Sequence, residues 1–219
     1  MMLKKKTVNA VALILGLIAL GLGVGFSTAH YYTGPAKEPA QEPSIEGLFW
    51  PNPKQVRPFE TVDHTGERFG LKQLEGRWSF LFFGFTHCPD ICPVTLSVLD
   101  QVERELEQRG ITNTQTLFVT VDPERDTTRQ LSEYVGYFNP DFIGLGGSEE
   151  QIRSLTGQLG VVAARGEVSE DGDYLVDHSA SVLLVDPRGR LISLFSAPHK
   201  ADEILSRFLD IRQFMQQQS

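Results

Sequence analysis

Cys88 and Cys92 are the only two cysteines in the 219 residues, and their spacing suits chemistry better than cross-linking. Only Pro89-Asp90-Ile91 separates them, so a bridge would close almost no loop and add little stability. Residues i and i+4 share a helix face, which lets the two sulfurs converge. Unpaired N–H groups at a helix start also favour thiolate. Two convergent thiolates make a soft, bidentate claw. Soft sulfur selects Cu(I), and an added imidazole suits Cu(II) as well. A structural zinc site takes four protein ligands, and only two cysteines exist here. The competing reading is a redox-active disulfide between Cys88 and Cys92. Thioredoxin-type oxidoreductases usually have two residues between the cysteines and a proline before the strand that faces them. Here there are three residues, and the facing position holds Asp177-His178-Ser179-Ala180, with no proline between Pro140 and Pro187. A histidine there would point at the sulfurs.

These residues need a frame. Trp78–Phe85 is a continuous apolar run, as in a buried central strand. It runs straight into the cysteine segment. Apolar residues then recur from Val94 to Leu106 at helical spacing, and Gly110 follows as a stop. Thr116–Val121 reads as a second buried strand. Thr127–Phe138 reads as a helix capped by Asp126 or Thr127. Phe142–Leu145 suits a strand, Ser148–Leu159 a helix with a good start, and Val161–Ala164 a short strand or extended segment. Arg57–Phe69 reads as an early hairpin turning at Asp63–Gly66. Ser179–Val185 and Leu191–Ser196 flank Asp186-Pro187-Arg188-Gly189, a hairpin turn. A helix over Ala201–Gln217 ends the chain. Alternating strands and helices imply an α/β sandwich with a central mixed sheet, and the strand–Cys–helix entry points to a thioredoxin-like fold.

The N-terminus implies a membrane. Lys4, Lys5 and Lys6 precede an apolar run from Ala10 to Phe26. With Thr7–Asn9 it reaches the length of a spanning helix. The lysines would stay in the cytoplasm and the rest of the chain would face outward. A cleaved signal peptide ending near Ala29 is the alternative. Residues 33–56, with Pro35, Pro39, Pro43, Pro51 and Pro53, read as a stiff tether. Leu48, Phe49 and Trp50 stand out within it as residues that would pack on the domain or the membrane. The organisation is thus 1–32 anchor, 33–56 tether and 57–219 folded domain. Net charge is −8 although the three lysines are the only charges before residue 34. So acidic a body excludes nucleic acid as a partner.

The stretches F-G-F-T-H-C-P-D-I-C-P at 83–93, V-D-P-E-R-D at 121–126 and D-H-S at 177–179 together resemble the SCO/SenC family. That family consists of membrane-anchored, thioredoxin-like copper proteins needed for assembly of the dicopper CuA centre of cytochrome c oxidase. The resemblance spans about Gln55 to Leu209. It implies one copper ion, Cu(I) or Cu(II), held by Cys88, Cys92 and His178. It also implies the copper-site subunit of the oxidase as acceptor and an upstream copper donor. The lysine-flanked apolar run, without an Arg- and Ser-rich transit segment, would place the domain on the outer face of a bacterial inner membrane. Three functions stay open: copper chaperone, thiol–disulfide oxidoreductase for the oxidase's cysteines, and copper- or redox-responsive signalling. Around the site, Asp90 would tune charge or meet a partner, and Asp177 would orient His178. Asp122 and Asp126 suit either docking or a turn and a cap. His87 would point away from its neighbour's side chain. His30, His64 and His199 read as solvated. Phe80, Phe82, Phe83 and Phe118 read as core.

Overall fold

A computed structural model of the chain describes residues 45–49 and 52–218. The expected anchor, including the apolar run 10–26, lies outside the described residues. Among those described, no helix is long and apolar enough to cross a membrane.

Strand β4 (Trp78–Gly84) is buried along its whole length, as its unbroken apolar run requires. Its side chains alternate between two layers, following the two-residue period of a strand. Phe80 and Phe82 face one cluster and Leu81 and Phe83 the other. The first cluster is closed by helix α2 (Ile91–Gln108), through Leu96, Leu99, Val102 and Leu106, and by helix α5 (Ala201–Gln217), through Ile204 and Phe208. Leu131 and Val135 of helix α3 (Thr128–Phe138) join it. The second cluster is closed by helix α4 (Glu149–Leu159), through Ile152 and Leu155. Burying a single leucine or phenylalanine in such layers is worth about 1.5–3 kcal/mol.

The other strands are β1 (Lys54–Gln55), β2 (Glu60–Asp63), β3 (Arg68–Gly70), β5 (Thr114–Thr120), β6 (Ile143–Gly146), β9 (Val182–Val185) and β10 (Arg190–Phe195), with the one-turn helix α1 (Leu71–Leu74) after β3. They form one mixed sheet in the order β1-β10-β9-β4-β5-β6-β2-β3. Strand β4 is parallel to β5 and antiparallel to β9. A separate ribbon pairs β7 (Ala163–Arg165) with β8 (Val176–His178). This is the thioredoxin-like α/β sandwich expected from the sequence.

Local rules set the helix starts. Thr127 caps α3 and Ser148 caps α4, each in a reciprocal pair with the glutamine three residues on. Thr127, not Asp126, is therefore the cap. The described part of the expected tether is attached to the sheet. The Phe49 N–H donates to the Ile192 carbonyl at 2.7 Å, Leu48 bridges Ser193, and β1 pairs with β10.

Candidate metal centre

The site forms where β4 ends and α2 begins. Gly84 closes β4, and a Cβ built on it would lie 2.6 Å from the Cys92 sulfur and 2.8 Å from the Phe118 ring. Only glycine lets the strand come so close to the cysteine. The loop then carries Cys88 to the rim, half-buried, while Cys92 on the first turn of α2 is fully buried. The two cysteines are unbridged.

Their acidities diverge. A hydrogen bond from the Cys92 thiol stabilises the Cys88 thiolate most; burial opposes it, and His178 and the backbone N–H groups of Asp90 and Cys92 help it. The net effect lowers Cys88 to about 4. Cys92 moves the other way, because donating to Cys88 and being buried both favour its neutral thiol. The helix start therefore favours thiolate at one cysteine and not, as the sequence reading had it, at both.

His178 arrives from the other side, on β8. Its Nε2 lies 3.6 Å from the Cys92 sulfur. Its Nδ1 faces the Ser179 carbonyl at 3.2 Å; if that nitrogen carries the proton, Nε2 is left as a lone pair toward the sulfurs. The ring rests in T-shaped contacts against Phe82 and Phe85. The ligand atoms of Cys88, Cys92 and His178 all lie within 4.8 Å of one another, the one such grouping among the described residues. Metal–sulfur and metal–nitrogen bonds of about 2.0–2.3 Å would set neighbouring donors of a trigonal ion roughly 3.5–4.0 Å apart. The trio is thus within a small closure of a three-coordinate site with a soft S₂N donor set.

A family model described as SCO1/SenC matches residues 51–213. The chain belongs to the SCO1/SenC family. The mitochondrial SCO2 homolog of Bos taurus is 44% identical over 147 residues, covering 67% of this chain and 55% of that protein. This chain thus spans little more than half the length of that relative. An SCO2-like protein of Rickettsia prowazekii is 41% identical over 152 residues, 69% of this chain and 74% of the relative. The structure of Arabidopsis thaliana ScoI with copper bound matches with a TM-score of 0.68 at 39% identity, over 72% of this chain and 98% of that one.

Not every residue singled out in this SCO1/SenC chain sits where the sequence suggested. Asp177 does not orient His178. Neighbours on a strand point to opposite faces, so Asp177 is exposed while the imidazole turns inward. Asp90 is exposed too, and its side chain does not cap α2. It acts on the site through its backbone N–H. His87 leans away from the sulfurs, its Nδ1 3.1 Å from the Thr86 hydroxyl and 3.7 Å from Asp126.

Asp122 and Asp126 are buried, so neither offers a docking surface. Asp126 accepts from the Thr86 N–H at 3.0 Å and from the hydroxyls of Thr86 and Thr120 at 2.6 Å each. It thereby ties the loop entering Cys88 to the end of β5. Asp122 accepts from the Tyr174 hydroxyl at 2.8 Å and from Arg125. Arg125 also donates to the Tyr174 carbonyl, and its guanidinium stacks 3.6 Å from that ring, with Arg165 at 3.7 Å from the same ring. The D-P-E-R-D loop is therefore a clamp on the segment leading into β8.

Two histidines read as solvated are structural. His64 Nδ1 accepts from the Gly144 N–H at 3.0 Å. His199 is buried, with Nε2 2.8 Å from the Ala180 carbonyl. His30 lies outside the described residues.

Proposed function

We propose that this protein is a copper metallochaperone that holds one copper ion through Cys88, Cys92 and His178 and delivers it to the CuA centre of cytochrome c oxidase. The convergence of two sulfurs and an imidazole within 4.8 Å, with no fourth ligand grouped beside them among the described residues, carries the reading. Two soft sulfurs and an imidazole suit copper in either valence and leave a coordination position through which an incoming ligand can take the ion. The half-exposed Cys88 is the natural exit, since exchange at the rim needs no opening of the core. The Arabidopsis relative solved with copper bound supports copper as the ion. The family resemblance supports the copper-site subunit of the oxidase as acceptor, with an upstream copper donor. In this reading residues 1–32 anchor the chain in a bacterial inner membrane, with the N-terminus in the cytoplasm and the domain in the periplasm.

A second reading has one observation in its favour. An acidic, half-exposed Cys88 beside a buried, neutral Cys92 is the pairing of attacking and resolving thiols in a thiol–disulfide reductase. Such a protein would reduce the cysteines of the oxidase copper site and would need no His178.

His178→Ala in the full-length chain separates the two. The reduced variant, titrated anaerobically, should bind Cu(II) at least about 100-fold more weakly than wild type, since even groups behind the ligands cost 10–100-fold. Sulfur-to-copper charge-transfer absorption should go with it, while exchange with a small disulfide should persist. Full copper affinity in the variant would overturn the ligand assignment.

A further inference from the structure

Between β8 and β9 the chain runs through Ser179, Ala180 and Ser181, outside either strand. This link must hold still for His178 to keep its aim. One side is tied by the Ser179 N–H, which donates to the Val162 carbonyl at 2.9 Å, with the Ser179 hydroxyl accepting from the Val162 N–H at 3.0 Å. The other side is tied by a side chain from a distant segment. His199, just before α5, is 8% exposed and has Nε2 2.8 Å from the Ala180 carbonyl. A carbonyl only accepts, so Nε2 carries the proton and donates. The other nitrogen, Nδ1, is buried with no partner. Leucine or phenylalanine would fill this place with no orphaned nitrogen but would leave the Ala180 carbonyl without a donor, so the imidazole's contribution is its Nε2–H. His199 also shares a wall with the ligand. Phe82 meets the His178 ring at 6.1 Å and 71°, and the His199 ring at 6.5 Å and 84°.

We infer that His199 is a positioning residue for the copper site: through the Ala180 carbonyl and the shared Phe82 ring it fixes the direction in which His178 presents Nε2 to the cysteines. The inference rests on the copper reading above. It deepens that reading by naming a residue that touches neither the ion nor its ligands.

The test is a cycle in the full-length chain with His199→Phe, which keeps an aromatic ring but removes the donor, and His199→Gln, which keeps an N–H for Ala180. Cu(II) affinity should fall about tenfold in His199→Phe and recover in His199→Gln, the scale expected of groups that orient a ligand. The sulfur-to-copper absorption should shift in the first and not in the second. In the metal-free protein, the ¹⁵N signals of the His178 ring should move in His199→Phe and stay in His199→Gln. In a His178→Ala background, His199→Phe should cost nothing further, because a positioning residue has nothing left to position. If His178→Ala binds Cu(II) as wild type does, the ligand assignment has failed and takes this inference with it. If His178→Ala weakens binding but His199→Phe does not, or weakens it equally with and without His178, the copper reading stands and the positioning role is overturned. Loss of folding in both His199 variants would make it a residue of the fold alone and overturn the role as well.

Discussion

Helix α2 carries a titratable group near each end, buried Cys92 and part-buried Glu103, and the two ends behave differently. At its first turn, Cys92 meets Cys88 and His178, groups that give electron pairs to a metal. Near its last turn, Glu103 accepts hydrogen bonds from the hydroxyls of Thr114 at 2.7 Å and Thr116 at 2.8 Å. Burial pushes both groups toward their neutral forms. The far end borders a cavity of about 290 Å³ that Arg77, Glu103, Arg104, Asp141 and Phe142 help to line. The cysteine end is tightly packed on its strand side. There the Gly84 backbone lies so close to Cys92 that a single methyl group would collide. Space therefore does not mark the chemistry. What marks it is the convergence of two sulfurs and an imidazole, whereas a carboxylate met by two hydroxyls is a satisfied structural group.

The sharpest way to break this contrast is to ask whether the two thiols differ as their surroundings dictate. In the reduced, metal-free protein, Cys88 should alkylate with iodoacetamide at least about 100-fold faster than Cys92 at pH 6, because thiolate and access both favour it. The Cys88 rate should stay nearly flat down to about pH 5 and fall as pH drops through about 4. Stability follows the same sign. A thiol made more acidic by the fold contributes fully above the ordinary thiol value of 9.0, and that contribution is lost as pH falls from there through about 4. Equal alkylation rates, read by mass spectrometry of the labelled peptides, would remove the asymmetry on which both functional readings draw.

Much of this end of the molecule was legible in the sequence, and what was not has a common cause. Cys88, Cys92 and His178 could be named because close spacing at a strand–helix junction and short motifs announce them, although Cys88 lies in the loop before α2 and not, as expected, on a helix face with Cys92. Strand β4 and helix α2 could be drawn because their apolar periods are long. Of the β7–β8 ribbon only β7 was foreshadowed, by the short strand or extended segment at Val161–Ala164, since the three residues of β8 are too few to read a period from. Thr86 reaches Asp126 across 40 positions and His64 reaches Gly144 across 80. Such partners are set by the sheet order, which a linear pattern does not carry. His199 has the same origin, its carbonyl partner lying 19 residues earlier on the far side of a hairpin. Asp177 failed for a local reason. Adjacency to His178 in sequence places it on the opposite face of a strand.

Gly84 sharpens the contrast from the side of packing. Gly84→Ala adds one methyl group against Cys92 and Phe118, neither of which can swing away freely. It should destabilise the protein by about 1–3 kcal/mol, the usual cost of overpacking a filled interior. Displacing Cys92 should also weaken Cu(II) binding about tenfold, a loss of the size seen when ligands are misdirected. Chemical denaturation and a copper titration on the same sample give both numbers. A stable variant with unchanged copper affinity would mean that the strand end is not what seats Cys92.

Glu103→Gln probes the quiet end and should have the smallest effect. Burial raises the Glu103 carboxyl above its ordinary value of 4.5, against the two threonine hydroxyls. The sign then follows: its stabilising contribution is complete below 4.5 and is lost as pH rises through the raised value in the folded protein. Wild-type stability should therefore decline over that window, and the glutamine variant should lack this part of the slope. At pH 8 the variant should be the more stable by about 1 kcal/mol, because it no longer buries a charge yet can still meet both hydroxyls. Copper affinity should not change. Glu103 stands three helical turns from Cys92, beyond the distance at which substitutions usually couple. A variant that lost copper affinity would show the two ends of α2 to be one device, with the carboxylate setting the pitch at which the helix presents its cysteine.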